Sequence, residues 1–448
     1  MILPLYRNKW WASLLAALLF VRCGTAFAGD HAFSGMREER HAELARTFTE
    51  EWDQQKNSYC DRKHLFGDWR GWRKYWAKRG VTVTSSYVVD MLGNPVGGMH
   101  QGAAYTGSYG IDALYDLEKI HGLRGWEFYI AGTWRAGTNL SKTKIGNQFP
   151  VAQVYGGQTW RLGELYFQNT GPGERWHFKF GRLEAGNNFL QNPLYYSYVS
   201  NAFDGNPISV FFNVYFTAYP NATWGVYFDY KITPRILAKF AVYNANADVN
   251  RNVYNGFNFH FTNTQGTQYI TEWTYLVNQE PCDIGLPGNY KVGYFYYPAV
   301  YDKFLGGEVR GNYGYYFLFD QMIYRPCGPG TDQGLTPFVA LLFFPEDRNT
   351  FPFFFTSGLV YNGLIPWRCN DVAAFGVAYG SYSSDLRQQE RQQMLETQNF
   401  EMIIEANYKI VMTPWFYIQP DLQYIIKPKG YDSIEDAMVI GFQSGLTF

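Results

Sequence analysis

Beyond its first thirty residues the chain has no apolar run of about 18 residues or more, so a helical membrane span is not expected there. Net charge is nearly absent. The 38 Lys and Arg balance 39 Asp and Glu to a formal −1, so composition implies no nucleic-acid partner. Histidine is scarce, with seven in 448 residues and no helical His-x3-His pair, and the five cysteines lack zinc-like spacing. There is no Gly-x-Ser-x-Gly elbow and no phosphate-binding glycine loop, and His177 and His260 sit among aromatic residues without an evident partner. No cofactor, metal or catalytic constellation is expected, which disfavours an enzyme.

Aromatics are abundant instead: 37 Tyr, 36 Phe and 14 Trp make 19% of the chain. Mean hydropathy is nevertheless only −0.30. That combination suits a wall with one lipid-facing and one water-facing side. The last residues make the point. Met438, Ile440, Phe442, Ser444, Leu446 and Phe448 alternate with Ala437, Val439, Gly441, Gln443, Gly445 and Thr447. One face is large and apolar, the other small or polar, as in a strand between two solvents. Phe400, Met402, Ile404, Ala406, Tyr408, Ile410 and Met412 likewise alternate with a set that includes Glu401, Glu405, Asn407 and Lys409. Phe416, Ile418, Leu422, Tyr424 and Ile426 oppose Gln419, Asp421 and Gln423. Charges on a lipid face cost roughly 2–4 kcal/mol near the midplane, so the polar sets belong to the lumen.

The N-terminus reads as a secretory signal peptide over residues 1–28. Arg7 and Lys9 precede an apolar stretch from Trp10 to Val21, and Ala26-Phe27-Ala28 forms a small-x-small cleavage site. Cys23 faintly suggests a lipoprotein site, but Arg22 before it is unfavourable. Residues 29–80 form a charged arm, expected to be periplasmic. It ends in Phe66-Gly67-Asp68-Trp69-Arg70-Gly71-Trp72-Arg73-Lys74-Tyr75-Trp76, an amphipathic helix with Asp68 as its N-cap and Gly80 as its stop. Residues 81–448 form the barrel. Sixteen strands are expected near 81–91, 108–118, 125–135, 159–169, 174–182, 222–232, 235–245, 267–279, 288–298, 312–325, 335–345, 352–363, 370–382, 398–411, 414–426 and 436–448. The first connections alternate long and short, about 16, 23, 39 and 21 residues against about 6, 4 and 2. The fold class is thus all-β: a transmembrane antiparallel barrel of about sixteen strands with both chain ends on the periplasmic side and a short helical N-terminal segment.

Several segments resemble one family, the carbohydrate-selective outer-membrane porins of the OprB type. They are Gly67 to Arg73; Gly98-Met99-His100-Gln101-Gly102-Ala103-Ala104-Tyr105-Thr106-Gly107; Arg161-Leu162-Gly163-Glu164-Leu165-Tyr166; and Gly181-Arg182-Leu183-Glu184-Ala185-Gly186-Asn187-Asn188-Phe189. Asp320 to Pro326, Pro345 to Asn349 and, most specifically, Thr413 to Gly430 continue the series, with Lys427 where the family often has Asn. The resemblance spans Leu65 to Phe448. It implies an outer-membrane location, passive diffusion of mono- or oligosaccharides through a narrowed lumen, and a monomer. It also implies barrel-assembly machinery that reads the terminal Phe448, with outer-membrane lipid around the barrel. Rival readings are a general or anion-preferring channel, a structural barrel, or an outer-membrane enzyme.

Sugar selectivity needs polar groups that replace hydration of sugar hydroxyls and flat faces that stack on the ring. Strand parity sends Arg135 and Glu164 to the lumen. Arg161 lies near a strand start, and Arg182 and Glu184 flank the start of the longest loop. Tyr195, Tyr196 and Tyr198 cluster inside that loop as stacking candidates. The alternative role for the charges is a salt-bridge network that stiffens the wall; for the tyrosines it is packing of the loop against that wall. Trp126, Trp176 and Trp224 near strand ends read as membrane-interface anchors. Cys60, Cys282, Cys327 and Cys369 fall in the arm and in periplasmic turns, and an oxidising compartment allows disulfides among them in any of three connectivities.

Overall fold

The computed structural model describes residues 62–155, 157–262, 266–280, 283–326 and 331–448. The signal peptide, most of the charged arm, and Cys60, Cys282 and Cys327 lie outside the described residues; Cys369 is exposed. Sixteen strands form one closed antiparallel barrel in which every strand pairs with its sequence neighbours. They are β1 (Val81–Val96), β2 (Gly102–Asp116), β3 (Trp126–Gly137), β4 (Thr159–Thr170), β5 (Trp176–Leu183), β6 (Thr223–Thr233), β7 (Ile236–Asn244) and β8 (Thr267–Val277). Then follow β9 (Gly288–Asp302), β10 (Glu308–Gln321), β11 (Gly334–Phe343), β12 (Phe353–Asn362), β13 (Val372–Ser381), β14 (Phe400–Thr413), β15 (Phe416–Ile426) and β16 (Ala437–Thr447). Closure removes the two free edges that an open sheet would present to lipid.

All sixteen expected strands are present. The largest difference is at β2, which starts at Gly102 rather than near 108, where Gly102, Ala103 and Ala104 pair with Asn94, Gly93 and Leu92. Side chains this small carry almost no hydropathy signal, so alternation could not reveal them. The outer face follows the parity argument: Ile440, Phe442, Leu422, Phe228 and Trp273 are exposed, while Val439, Gln443, Gln423 and Asp229 are buried. Trp126 and Trp176 begin β3 and β5 and pack on the outward Phe180 and Phe228, at 6.2 and 6.4 Å between ring centroids.

The seam is closed by β1 against β16, with Asp90 opposite Gln443 and Tyr87 opposite Leu446. The N-terminal segment locks that seam. Leu65 N donates to Thr447 O at 2.9 Å, Phe66 stacks on Phe448 at 5.6 Å, and Arg73 Nη2 donates to Phe448 O at 2.5 Å. Helix α1 spans only Trp72–Ala77, and Asp68 caps it differently than expected. A tight turn over Trp69–Gly71 intervenes, and Gly71, in the left-handed region at φ 92°, precedes the helix. Asp68 serves that turn through its carbonyl, and its carboxylate accepts Lys74 N at 3.3 Å. Gly80 ends the segment at φ 84°, where a Cβ would meet Asp116 O at 2.8 Å.

Candidate functional site: a lumen narrowed by inward loops

The long connections on the rim opposite the chain ends fold into the barrel. L2 (138–158) follows β3 and L3 (184–222) follows β5. Their apolar side chains make a core inside the lumen. Phe149, Phe189, Leu190, Tyr198, Val199, Phe203 and Val210 are all at or below 1% exposure, and Phe149 lies 5.1 Å from Phe351. Burying such side chains stabilises by roughly 1.5–3 kcal/mol each, which holds the loops inward.

Inward polar residues of the far wall complete the docking. Glu401 on β14 accepts Gln148 N and Phe149 N of L2 at 2.7 and 2.6 Å. Glu405 accepts Val199 N and Ser200 N of L3 at 2.7 and 3.1 Å. Lys409 Nζ donates to Tyr196 O at 3.0 Å, Gln419 Nε2 to Ser197 O at 2.9 Å, and Gln423 Nε2 to Val151 O at 2.9 Å. Glu272 on β8 accepts Leu190 N at 3.2 Å and pairs with Lys239 at 3.3 Å. A carboxylate bonded to amide N–H groups satisfies a buried charge and two loop donors at once.

The near wall carries an arginine ladder. Arg135, Arg161 and Arg182 project inward from β3, β4 and β5, alternating with the outward Trp134 and Trp160. Each reaches a different set of loop groups. Arg135 Nη1 donates to Gln153 O and Tyr155 O of L2 at 3.4 and 3.3 Å, and its guanidinium lies 4.9 Å from the Tyr219 ring centre. Arg161 donates to Asn221 Oδ1 of L3 and Asn252 Oδ1 of L4, the connection 245–266. Arg182 donates to Ala222 O at 3.0 Å, to Gly256 O, and to Asn258 O at 3.4 Å. Glu164 accepts Glu184 N at 2.9 Å, and Asn187 Nδ2 bridges the Glu164 and Glu184 carboxylates at 3.0 and 2.7 Å. Arg135 lies within electrostatic reach of Glu184, Asp204 and Asp90.

The five charged candidates therefore sit together on one side of the lumen, each at or below 5% exposure and each tied to a loop. The tyrosines separate. Tyr195 has no exposed surface and packs edge-on against Phe338 at 5.2 Å. Tyr198 is equally buried, stacks on Phe203 at 4.5 Å, and donates to Phe375 O at 2.9 Å. Tyr196 is half-buried. Sequence reasoning missed Tyr219, whose hydroxyl donates to Thr133 Oγ1 at 2.7 Å, and the asparagines Asn187, Asn188, Asn206 and Asn221, which bond the loop to itself and to the wall. The asparagine density of residues 187–221 was the available signal.

A closed sixteen-strand barrel with an aromatic outer face, a polar lumen and inward constricting loops is a bacterial outer-membrane diffusion channel, a porin. A family model for carbohydrate-selective porins of the OprB family matches residues 100–448, and the chain belongs to that family. It is 27% identical over 426 residues to Porin B of Pseudomonas aeruginosa, covering 86% of this chain and 91% of that protein. It is 26% identical over 421 residues to a putative porin, QuiX, of Acinetobacter baylyi, covering 87% of this chain and 94% of that one. The high-pH structure of Pseudomonas putida OprB superposes with a TM-score of 0.80 at 26% identity, covering 88% of this chain and 100% of that one. The low-pH structure of the same protein shares the fold, with a TM-score of 0.58 at 23% identity. The protein is an outer-membrane porin for passive diffusion of carbohydrates.

Proposed function

We propose that selectivity is exercised where the arginine ladder faces L3. Arg135, Arg161, Arg182, Glu164 and Glu184, each nearly buried, hold the loops that border the path, and Tyr196 offers a partly open ring. Tyr195 then holds the loop from behind. The observation that supports this reading is the interleaving of three arginines with two glutamates on one side of the lumen, within reach of each other. Three guanidinium groups against two carboxylates leave a small positive excess, and each group is satisfied by loop partners, so a passing solute meets little bare charge, which suits hydroxyl-rich neutral solutes and weak binding. On the same reading the protein makes no bonds, works as a monomer, is placed in the membrane by barrel-assembly machinery, and carries residues 29–80 as a periplasmic arm. At least one disulfide among Cys60, Cys282, Cys327 and Cys369 ties the periplasmic rim. Proteoliposome swelling with glucose, sucrose and an amino acid of glucose size tests the selectivity. Glucose entering faster than the amino acid is expected; equal rates for all three overturn it.

A further inference from the structure

β5 is the shortest strand, eight residues, and it leaves a notch in the wall. On β4 the pairing with β5 stops at Leu165 opposite Arg182, whereas the pairing with β3 continues to Thr159 opposite Arg135. The β4 edge above Leu165 therefore faces no strand among the described residues. L4 fills that place. Leu162 N donates to Asn255 O at 2.9 Å, Arg182 to Gly256 O and Asn258 O, and Trp224 Nε1 to Phe259 O at 3.2 Å. The approach is close enough to need glycine. Gly256 has φ 77°, and a Cβ there would lie 2.0 Å from Leu162 O.

The segment that fills the notch exposes large apolar side chains: Val253 78%, Phe257 57% and Phe261 70%, with Tyr254 and Phe259 beside them. Its depth follows from the register. Trp134 and Trp160 are paired, outward and exposed, and mark the interfacial belt on this side of the barrel. Leu162, which holds Asn255, lies two residues further toward the membrane centre, about 6–7 Å at the rise of a strand. The segment thus begins at or below the belt, continuous with the lipid-facing wall, since Phe259 packs 6.3 Å from Trp224. Carbonyls of Asn255, Gly256, Asn258 and Phe259 are bonded to the barrel, which makes irregular backbone tolerable at that depth.

We propose that residues 253–261 are a non-strand patch of the barrel wall seated in the outer-leaflet lipid, with Phe257, Phe259 and Phe261 against acyl chains and head-group boundary. The patch also backs Arg182, so lipid contact and lumen geometry share one segment. The test places benzoylphenylalanine singly at 257, 259, 261 and, as a control, at Met394, which is 95% exposed in the connection 382–399. The full-length porin is reconstituted in liposomes carrying tritiated phosphatidylcholine and irradiated. Lipid incorporation roughly fivefold or more above the control at 257 and 261 is expected for side chains in the belt. Incorporation equal to the control, or a covalent dimer in place of a lipid adduct, overturns the proposal. Glucose swelling is read on the same proteins. Sugar passage without lipid adducts would defeat this inference alone and leave the selectivity reading standing.

Discussion

Replacing Glu405 with alanine isolates the tie that holds the tip of L3. The carboxylate accepts Val199 N at 2.7 Å and Ser200 N at 3.1 Å. Hydrogen bonds to a charged group contribute about 1.5–3 kcal/mol each, so the pair supports the docked loop by about 3 kcal/mol at the lower figure. That is on the order of a hundredfold in the opening equilibrium. The tip keeps other anchors: Tyr198 on Phe375 O, Lys409 on Tyr196 O and Gln419 on Ser197 O. The loop therefore stays docked most of the time, and the change is in the minor open state. Amide hydrogen exchange reads that state directly. Protection at Val199 and Ser200 is expected to fall about a hundredfold while strand amides of β14 keep theirs, and sucrose swelling should rise relative to glucose. Protection within about threefold of the unaltered protein would show that burial of the loop's apolar side chains alone holds it, and the docking argument would fail.

Arg135→Ala removes the donor shared by Gln153 O and Tyr155 O, so exchange in L2 should rise by about tenfold or more while the folded barrel persists on unheated gels. Arg73→Ala removes the guanidinium from Phe448 O at the seam and is expected to lower the temperature at which the heat-modifiable gel shift occurs; no shift would mean that the Phe66 stack and the strand pairing suffice. Burial, with Arg73 and Lys63 nearby, holds His64 down at about 3 from its ordinary 6.5. The docked segment therefore binds fewer protons than the released one, and its stability is complete above about pH 6.5 and declines as pH falls toward 3. Exchange of residues 65–79, corrected for intrinsic rate, should speed between pH 7 and 5, and His64→Gln should flatten the dependence.

The barrel was legible because two solvents impose one period. In β14 and β16 outward Met, Ile and Phe alternate with an inward set that is mostly small or polar, Ile403 and Val439 being buried exceptions, and no soluble core imposes that over sixteen segments. Thr233-Pro234 and Thr413-Pro414 lead into the tight turns at 234–235 and 414–415, where proline cannot continue the strand ladder. What alternation cannot say is what an inward side chain meets. Parity sends Glu405 to the lumen, but the partner it meets, Val199, lies 206 residues away in a loop without periodicity. Tyr195 was open to two roles for the same reason, and only the inward fold of L3 places it against Phe338. The L4 patch escaped notice because its aromatics lie outside any strand and its pairing runs through carbonyls that no residue type announces.

The division of charge in the lumen bears on what such a pore passes. Far-wall carboxylates Glu401 and Glu405 each meet main-chain amides, and near-wall arginines 135 and 182 each meet main-chain carbonyls. Ionised groups solvated by peptide dipoles project far less field into the lumen than the same groups in open water-facing rings. An ion entering would lose hydration without gaining an opposite bare charge, and its desolvation cost would stand. A neutral polyol has no such penalty, because it carries no charge whose hydration must be replaced. Preference for uncharged solutes then follows from committing the wall's charges to its own loops, and the perturbation that tests it is the same one that frees a loop: when Glu405 is removed, the barrier to ions and the barrier to larger sugars should fall together.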